Sequence, residues 1–115
     1  MKSTITKADL NQFTGTSRYY PHWFRTIVFT DGIKFVAESV GAFWLIDVVA
    51  SYQPLKVGFQ VWTLRKHEEI WRVECSDADE KFVLAQDIEY TDFPEELMPF
   101  EMYVQNGVLF LPSEY

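Results

Sequence analysis

Residues 41–53 read GAFWLIDVVASYQ, and the reading of this stretch decides the fold. It is the longest nearly uninterrupted apolar segment of the chain and holds one charge, Asp47, at its middle. At 3.6 residues per turn, Phe43, Ile46, Val49 and Ala50 fall on one side and Leu45 and Tyr52 on the adjoining side. Trp44, Asp47 and Ser51 take the remaining arc. A helix apolar almost all round lies at the centre of a domain or turns its second face to another subunit. The run is shorter than the roughly 20 residues a bilayer span needs, and with a charge inside it no membrane insertion is expected.

Upstream, Ile33, Val36, Ala37 and Val40 stand at i, i+3, i+4 and i+7, Thr30 or Asp31 can cap, and Gly41 can end a helix. Asp31-Gly32 could also be a hairpin turn, but the helical spacing predicts a helix over 32–40. Together with 42–53, stopped by Pro54, it forms a bent pair cornered at Gly41. Before the pair, residues 24–30 are the strand candidate, since Pro21 keeps the preceding segment out of a central strand position. Thr6 and Asp9 resemble an N-cap and a first-turn acid, which predicts a short helix over 7–13.

Beyond Pro54 the periodicity changes from helical to alternating. Residues 59–65 form a first strand; Trp71, Val73 and Cys75 alternate with Arg72 and Glu74 in a second; Phe82, Leu84, Ile88 and Tyr90 mark a third. Phe100, Met102 and Val104 lead into Asn106-Gly107, the strongest hairpin signal of the chain, and back through residues 108–111. The expected fold is therefore α+β, an antiparallel meander of about five strands within 59–111, extendable by 24–30, with one face covered by the bent helix pair.

A chain of 115 residues with 48% apolar and 17% aromatic residues fits one packed domain, residues 1–115. Cys75 is its single cysteine, so no internal disulfide forms, and with the N-terminus lacking the apolar core of a secretory signal a cytoplasmic location is expected. The net charge of −7 is uneven: residues 1–58 hold six Lys or Arg against four Asp or Glu, and residues 59–115 hold four against thirteen, giving +2 and −9. No cluster of Lys and Arg is available to displace counterions from a phosphate backbone, so direct nucleic-acid binding is not expected.

The blocks YYPHW, TDGIKFVAE, AFWLIDVVASYQ, FQVW, EYTDFP and NGVLFLPSEY span nearly the whole chain. In them the sequence resembles a family of small uncharacterised bacterial proteins found in cyanobacteria and around phages and plasmids. The resemblance implies a stand-alone domain with no established activity, and it carries no catalytic residue onto this sequence.

Asp47 is the most informative polar position, because an ionised carboxylate in an apolar setting must find a partner or neutralise. It is expected to be largely buried and to accept a hydrogen bond from Arg18, Arg25, His22 or an indole N–H. Its chemical reading is a general base or a ligand for an amine, and its structural reading is a paired core residue. His22, flanked by Tyr19, Tyr20 and Trp23, reads either as an acid–base group at a pocket rim lined by stacking aromatics or as part of an aromatic plug. Tyr20, His22, Trp23 and Asp47 are thus the candidate ligand-binding residues. His67 lies in a polar turn, Cys75 falls on the apolar side of its strand, and Ser51 lacks a nucleophile-elbow context. The acidic run DIEYTDFPEE lacks the ordered spacing of a calcium loop. No catalytic residue, no metal and no cofactor is expected.

Two readings follow. One is a non-enzymatic protein-interaction or accessory protein of bacterial or mobile-element origin, binding a protein partner through its acidic second half or an aromatic patch. The other is a small-molecule-binding protein or a carboxylate/His acid–base enzyme using His22 and Asp47. A pocket shared by those two side chains favours the second, and its absence the first. A homodimer is expected as well, formed by the exposed side of the main helix or by the final strand, because two helices and one small sheet leave apolar surface to cover.

Overall fold

Ala42, Leu45, Ile46, Val49 and Ala50 are all at most 2% exposed, a spacing that lays one full stripe of the main helix on the core. The structure, a computed structural model, describes residues 5–115. In chain order the elements are α1 (Lys7–Asn11), β1 (Tyr19–Pro21), β2 (Val28–Thr30), α2 (Asp31–Val40), α3 (Phe43–Ser51), β3 (Phe59–His67), β4 (Ile70–Ser76) and β5 (Phe82–Ile88). A short 3₁₀ turn (Glu95–Leu97) precedes β6 (Phe100–Gln105) and β7 (Val108–Phe110), and a second, Pro112–Glu114, ends the chain. Thr6 caps α1 with Asp9 in a capping box, Thr30 caps α2, and Gly41 closes α2 in the left-handed region. Phe43 is a correction to the helical wheel: the buried stripe begins at Ala42, one residue earlier, which rotates Phe43 out to 38% exposure on the side of Asp47.

All five strands read beyond Pro54 are present, but they are not a meander, and the sheet has seven strands in the order β1-β2-β7-β6-β3-β4-β5. β3, β4 and β5 follow one another antiparallel. Residues 89–99 then return across the sheet, burying Thr91, Phe93 and Leu97, so that β6 pairs with the other side of β3. The β6–β7 hairpin turns on Asn106 (φ 53) and Gly107 (φ 76), both left-handed as a type I′ turn requires. It fills the space between β3 and β2, and β2 joins β7 in the one parallel pairing. The α2–α3 pair is thereby the crossover that carries the chain from β2 over β7 and β6 to β3.

The expected strand at 24–30 begins only at Val28, and the segment before it contributes β1, antiparallel to β2. Pro21 is compatible with this because β1 is an edge strand, where a missing N–H is harmless. The core lies between the helices and one sheet face, around Trp62, Leu64, Val73, Cys75 and Leu109, each 0% exposed. β7 is paired on both sides, so the free edges of the sheet are β1 and β5.

Two carboxylates tie the C-terminal segment and residues 17–20 to the start of α2. Glu114 accepts from the Thr30 hydroxyl (2.6 Å) and from the backbone N–H groups of Leu111 (2.9 Å) and Gly32 (3.1 Å). A Cβ at Gly32 would lie 2.7 Å from Glu114 Oε1 and from Leu111 Cδ1, so only glycine admits this approach. Asp31 accepts from the Ser17 N–H (2.8 Å) and the Tyr20 hydroxyl (2.9 Å), while Thr16 Oγ1 accepts its own N–H. The Ser17 N–H, followed by the Tyr20 hydroxyl, holds the Asp31 carboxyl below its ordinary value of 3.8. A carboxylate depressed in the folded state adds stability that is complete above the unfolded pKa and is lost as pH falls through the folded one. Asp31→Asn is therefore expected to flatten the loss of stability with acid below about pH 4, read from urea midpoints across a pH series. Parallel curves for the two proteins would refute this role.

Candidate functional site

Residues 22–27 join β1 to β2, and hydrogen bonds from both backbone and side chains hold this tip. The His22 N–H donates to the Ile27 carbonyl (3.1 Å), the Arg25 N–H to the His22 carbonyl (2.8 Å), and the Thr26 hydroxyl to the Ala50 carbonyl at the end of α3 (3.0 Å). The imidazole turns inward and is 2% exposed. Its Nδ1 accepts the Phe24 backbone N–H at 3.0 Å, so the ring proton sits on Nε2, and this donates to Asp47 Oδ1 at 2.7 Å.

The expected partner of Asp47 is thus found, and it is His22 rather than Arg18, Arg25 or an indole. The expected burial of Asp47 is corrected: its side chain is 38% exposed, and the buried member of the pair is the histidine at 1%. Asp47 lies on the flank of α3 next to the core stripe, where water still reaches one side of the carboxylate. The sequence read the residue types correctly and assigned the burial to the wrong partner, because a wheel cannot show which flank of a helix a distant loop covers.

This geometry resembles a carboxylate-oriented histidine, but its second nitrogen already holds the loop's own backbone. To take a proton from a ligand, Nδ1 would have to release the Phe24 N–H. The depression beside the loop, about 580 Å³, is lined by His22, Trp23, Arg25 and Gly107 among others and does not include Asp47.

Outside the imidazole the loop presents apolar surface to solvent. Trp23 stacks on His22 with centroids 4.3 Å apart, and Phe24 meets it edge-on at 4.6 Å. Trp23 is nevertheless 65% exposed and Phe24 47%. Arg25 stands beside them in the left-handed region (φ 62), and no carboxylate among the described residues pairs with it. Phe24 is the residue of this tip that the sequence reading passed over, and Arg25 entered it only as a possible donor to Asp47; the signal was present as an unbroken aromatic-basic run, WFR, directly after the histidine. Tyr20, by contrast, is drawn away: it bonds Asp31 and lies under the Lys34 ammonium at 4.5 Å, on the body of β1.

The other candidates resolve simply. Cys75 is 0% exposed on the core side of β4, and burial pushes its thiol up to about 12. It is expected to resist alkylation by iodoacetamide at neutral pH in the folded protein and to react fully in denaturant, followed by intact mass. Rapid modification of the native chain would contradict its placement. His67 is exposed at the end of β3. Among the described residues no group of three or more His, Cys, Asp or Glu side chains is placed to hold a metal ion, and no helix is long and apolar enough to cross a membrane.

A model of a family of unknown function, DUF6876, matches residues 4–115. No curated protein and no solved structure matches the chain.

Proposed function

The chain belongs to the family of unknown function DUF6876, and from that premise we propose that it is a non-enzymatic interaction protein whose recognition element is the tip Trp23-Phe24-Arg25. The observation that carries this reading is the contrast within one loop: both ring nitrogens of His22 are engaged, Nδ1 by the Phe24 N–H and Nε2 by Asp47, while the two aromatic rings beside it face water. Tryptophan and arginine are the residue types that dominate binding hot spots, and a loop already fixed by hydrogen bonds loses little conformational entropy on docking. The partner that suits it is a protein with an apolar pocket for the indole and a carboxylate for Arg25. We place this role in the cytoplasm of a bacterium or among the accessory factors of a mobile element, as the family resemblance suggests; a free, buried thiol suits a reducing compartment.

The second reading, a small-molecule binder or acid–base enzyme, is favoured by the 2.7 Å His22–Asp47 contact alone. One experiment separates the two. Wild type and the Trp23→Ala/Phe24→Ala variant serve as baits in the native host's extract, and a protein retained by wild type is then titrated against both. The variant should remain folded and bind at least about 30-fold more weakly, since each hot-spot ring is worth about 2 kcal/mol. Equal binding by both proteins would defeat the proposal. So would turnover of a substrate that is abolished in a folded Asp47→Asn variant, which would establish the enzyme.

A further inference from the structure

The two edges of the sheet are built differently. β1 is three residues long and contains Pro21. β5 has seven residues, FVLAQDI, with neither Pro nor Lys among them. Exposed strand edges invite pairing, and short length, proline and lysine are the usual guards against it. The β4–β5 ladder has a register shift at Cys75/Ser76, near the first residue of β5, but Leu84 to Ile88 pair regularly.

The direction of the β5 backbone groups follows from the ladder. His67 and Ile70 flank the two-residue turn at Glu68 and Glu69, which makes them a hydrogen-bonded pair. Alternation then directs Ile70, Arg72 and Glu74 toward β3, and Trp71, Val73 and Cys75 toward β5, where they pair with Ile88, Gln86 and Leu84. The N–H and C=O groups of Ala85 and Asp87 therefore point out of the sheet, unpaired.

We infer that a second copy of this chain adds to that edge, β5 against β5 in antiparallel register about Ala85. The register places Lys81 opposite the partner's Glu89, and by symmetry Glu89 opposite the partner's Lys81. Both side chains are exposed and neither makes an ion pair among the described residues. The same register sets Phe82, 68% exposed, opposite the partner's Ile88, and Val83 opposite the partner's Asp87, whose carboxylate already bonds Arg72 at 2.7 Å. Beyond Glu89 the chain turns back over its own sheet, which leaves the edge clear for the approach. Because the tip carrying Trp23 belongs to β1 at the opposite edge, the dimer would hold two recognition loops at its far ends and bind a bivalent partner more tightly than one loop can.

Sedimentation velocity over a concentration series tests this. Wild type should move from 13.5 kDa toward twice that mass. Ala85→Pro removes an N–H that the β4 ladder does not use and should give a folded monomer. Lys81→Glu sets two like-charge pairs across the axis and should weaken the dimer about tenfold, while Lys81→Glu/Glu89→Lys should restore it. If Ala85→Pro disturbs the fold, the charge series decides. A wild type that stays monomeric to about 0.2 mM, well above the micromolar affinities of ordinary interfaces, overturns the inference. A dimer insensitive to the charge series overturns it too. The Trp23→Ala/Phe24→Ala variant should dimerise normally, so failure here leaves the proposed recognition loop standing and failure there leaves the dimer.

Discussion

Replacing His22 with alanine should lower stability by about 2–4 kcal/mol and release the tip of residues 22–27, a large effect for a residue in a surface loop. The imidazole is 2% exposed, so its removal leaves a void beneath Trp23 and Phe24, which rest on it at 4.3 and 4.6 Å. It also strips the Phe24 N–H of its acceptor. Asp47 itself suffers less, because its side chain is 38% exposed and water can replace the lost donor. The two Asp47 variants calibrate the pair. Asp47→Asn keeps an oxygen that can accept from His22 Nε2–H and should cost about 1 kcal/mol, the charge assistance alone. Asp47→Leu leaves that buried N–H unpaired and should cost about 1–3 kcal/mol. Urea denaturation gives all three values. A loss below about 1 kcal/mol for His22→Ala would mean that the pair behaves as an ordinary surface contact, and the case for a pre-formed recognition tip would fall with it.

The second large effect is expected at Gln60, 3% exposed at the start of β3. Its Oε1 accepts from Gln53 Nε2 (2.8 Å) and from the Trp62 indole (2.8 Å), and its Nε2 donates to Gln53 Oε1 (3.0 Å). Trp62 is 0% exposed, so Gln60→Leu leaves its N–H with neither acceptor nor water. A loss of about 3 kcal/mol is expected from this orphaned donor together with the broken Gln53 bonds. The double variant Gln60→Leu/Trp62→Phe removes the donor as well and should recover part of the loss, although Phe fills less space than Trp. If the double variant is instead less stable than the sum of the two single changes, the network does not act as described.

The lines of the fold that local chemistry controls were readable in advance. The i, i+3, i+4 spacing of Ile33, Val36, Ala37 and Val40 gave α2, Thr30 and Gly41 marked its ends, and alternation located β3 to β7 within a residue or two. Asn106-Gly107 named its own turn. The site was half legible: His22 was among the four donors suggested for Asp47, but the burial that prompted the suggestion belongs to the histidine and not to the carboxylate. The β1–β2 hairpin was not legible, because Pro21 argues against a strand unless one knows that the strand is an edge.

By itself, then, the sequence determined the α+β composition, the two helices meeting at Gly41 and the positions of five strands, since each of these follows from side chains a few residues apart. Tertiary structure alone decided the strand order, the insertion of the β6–β7 hairpin between β2 and β3, and the bonding of Glu114 to Thr30. It also decided which of His22 and Asp47 is buried. These rest on groups as distant as 25 residues for His22–Asp47 and 84 for Thr30–Glu114. Over such separations many closures cost similar chain entropy, and only the joint packing of all the layers selects one.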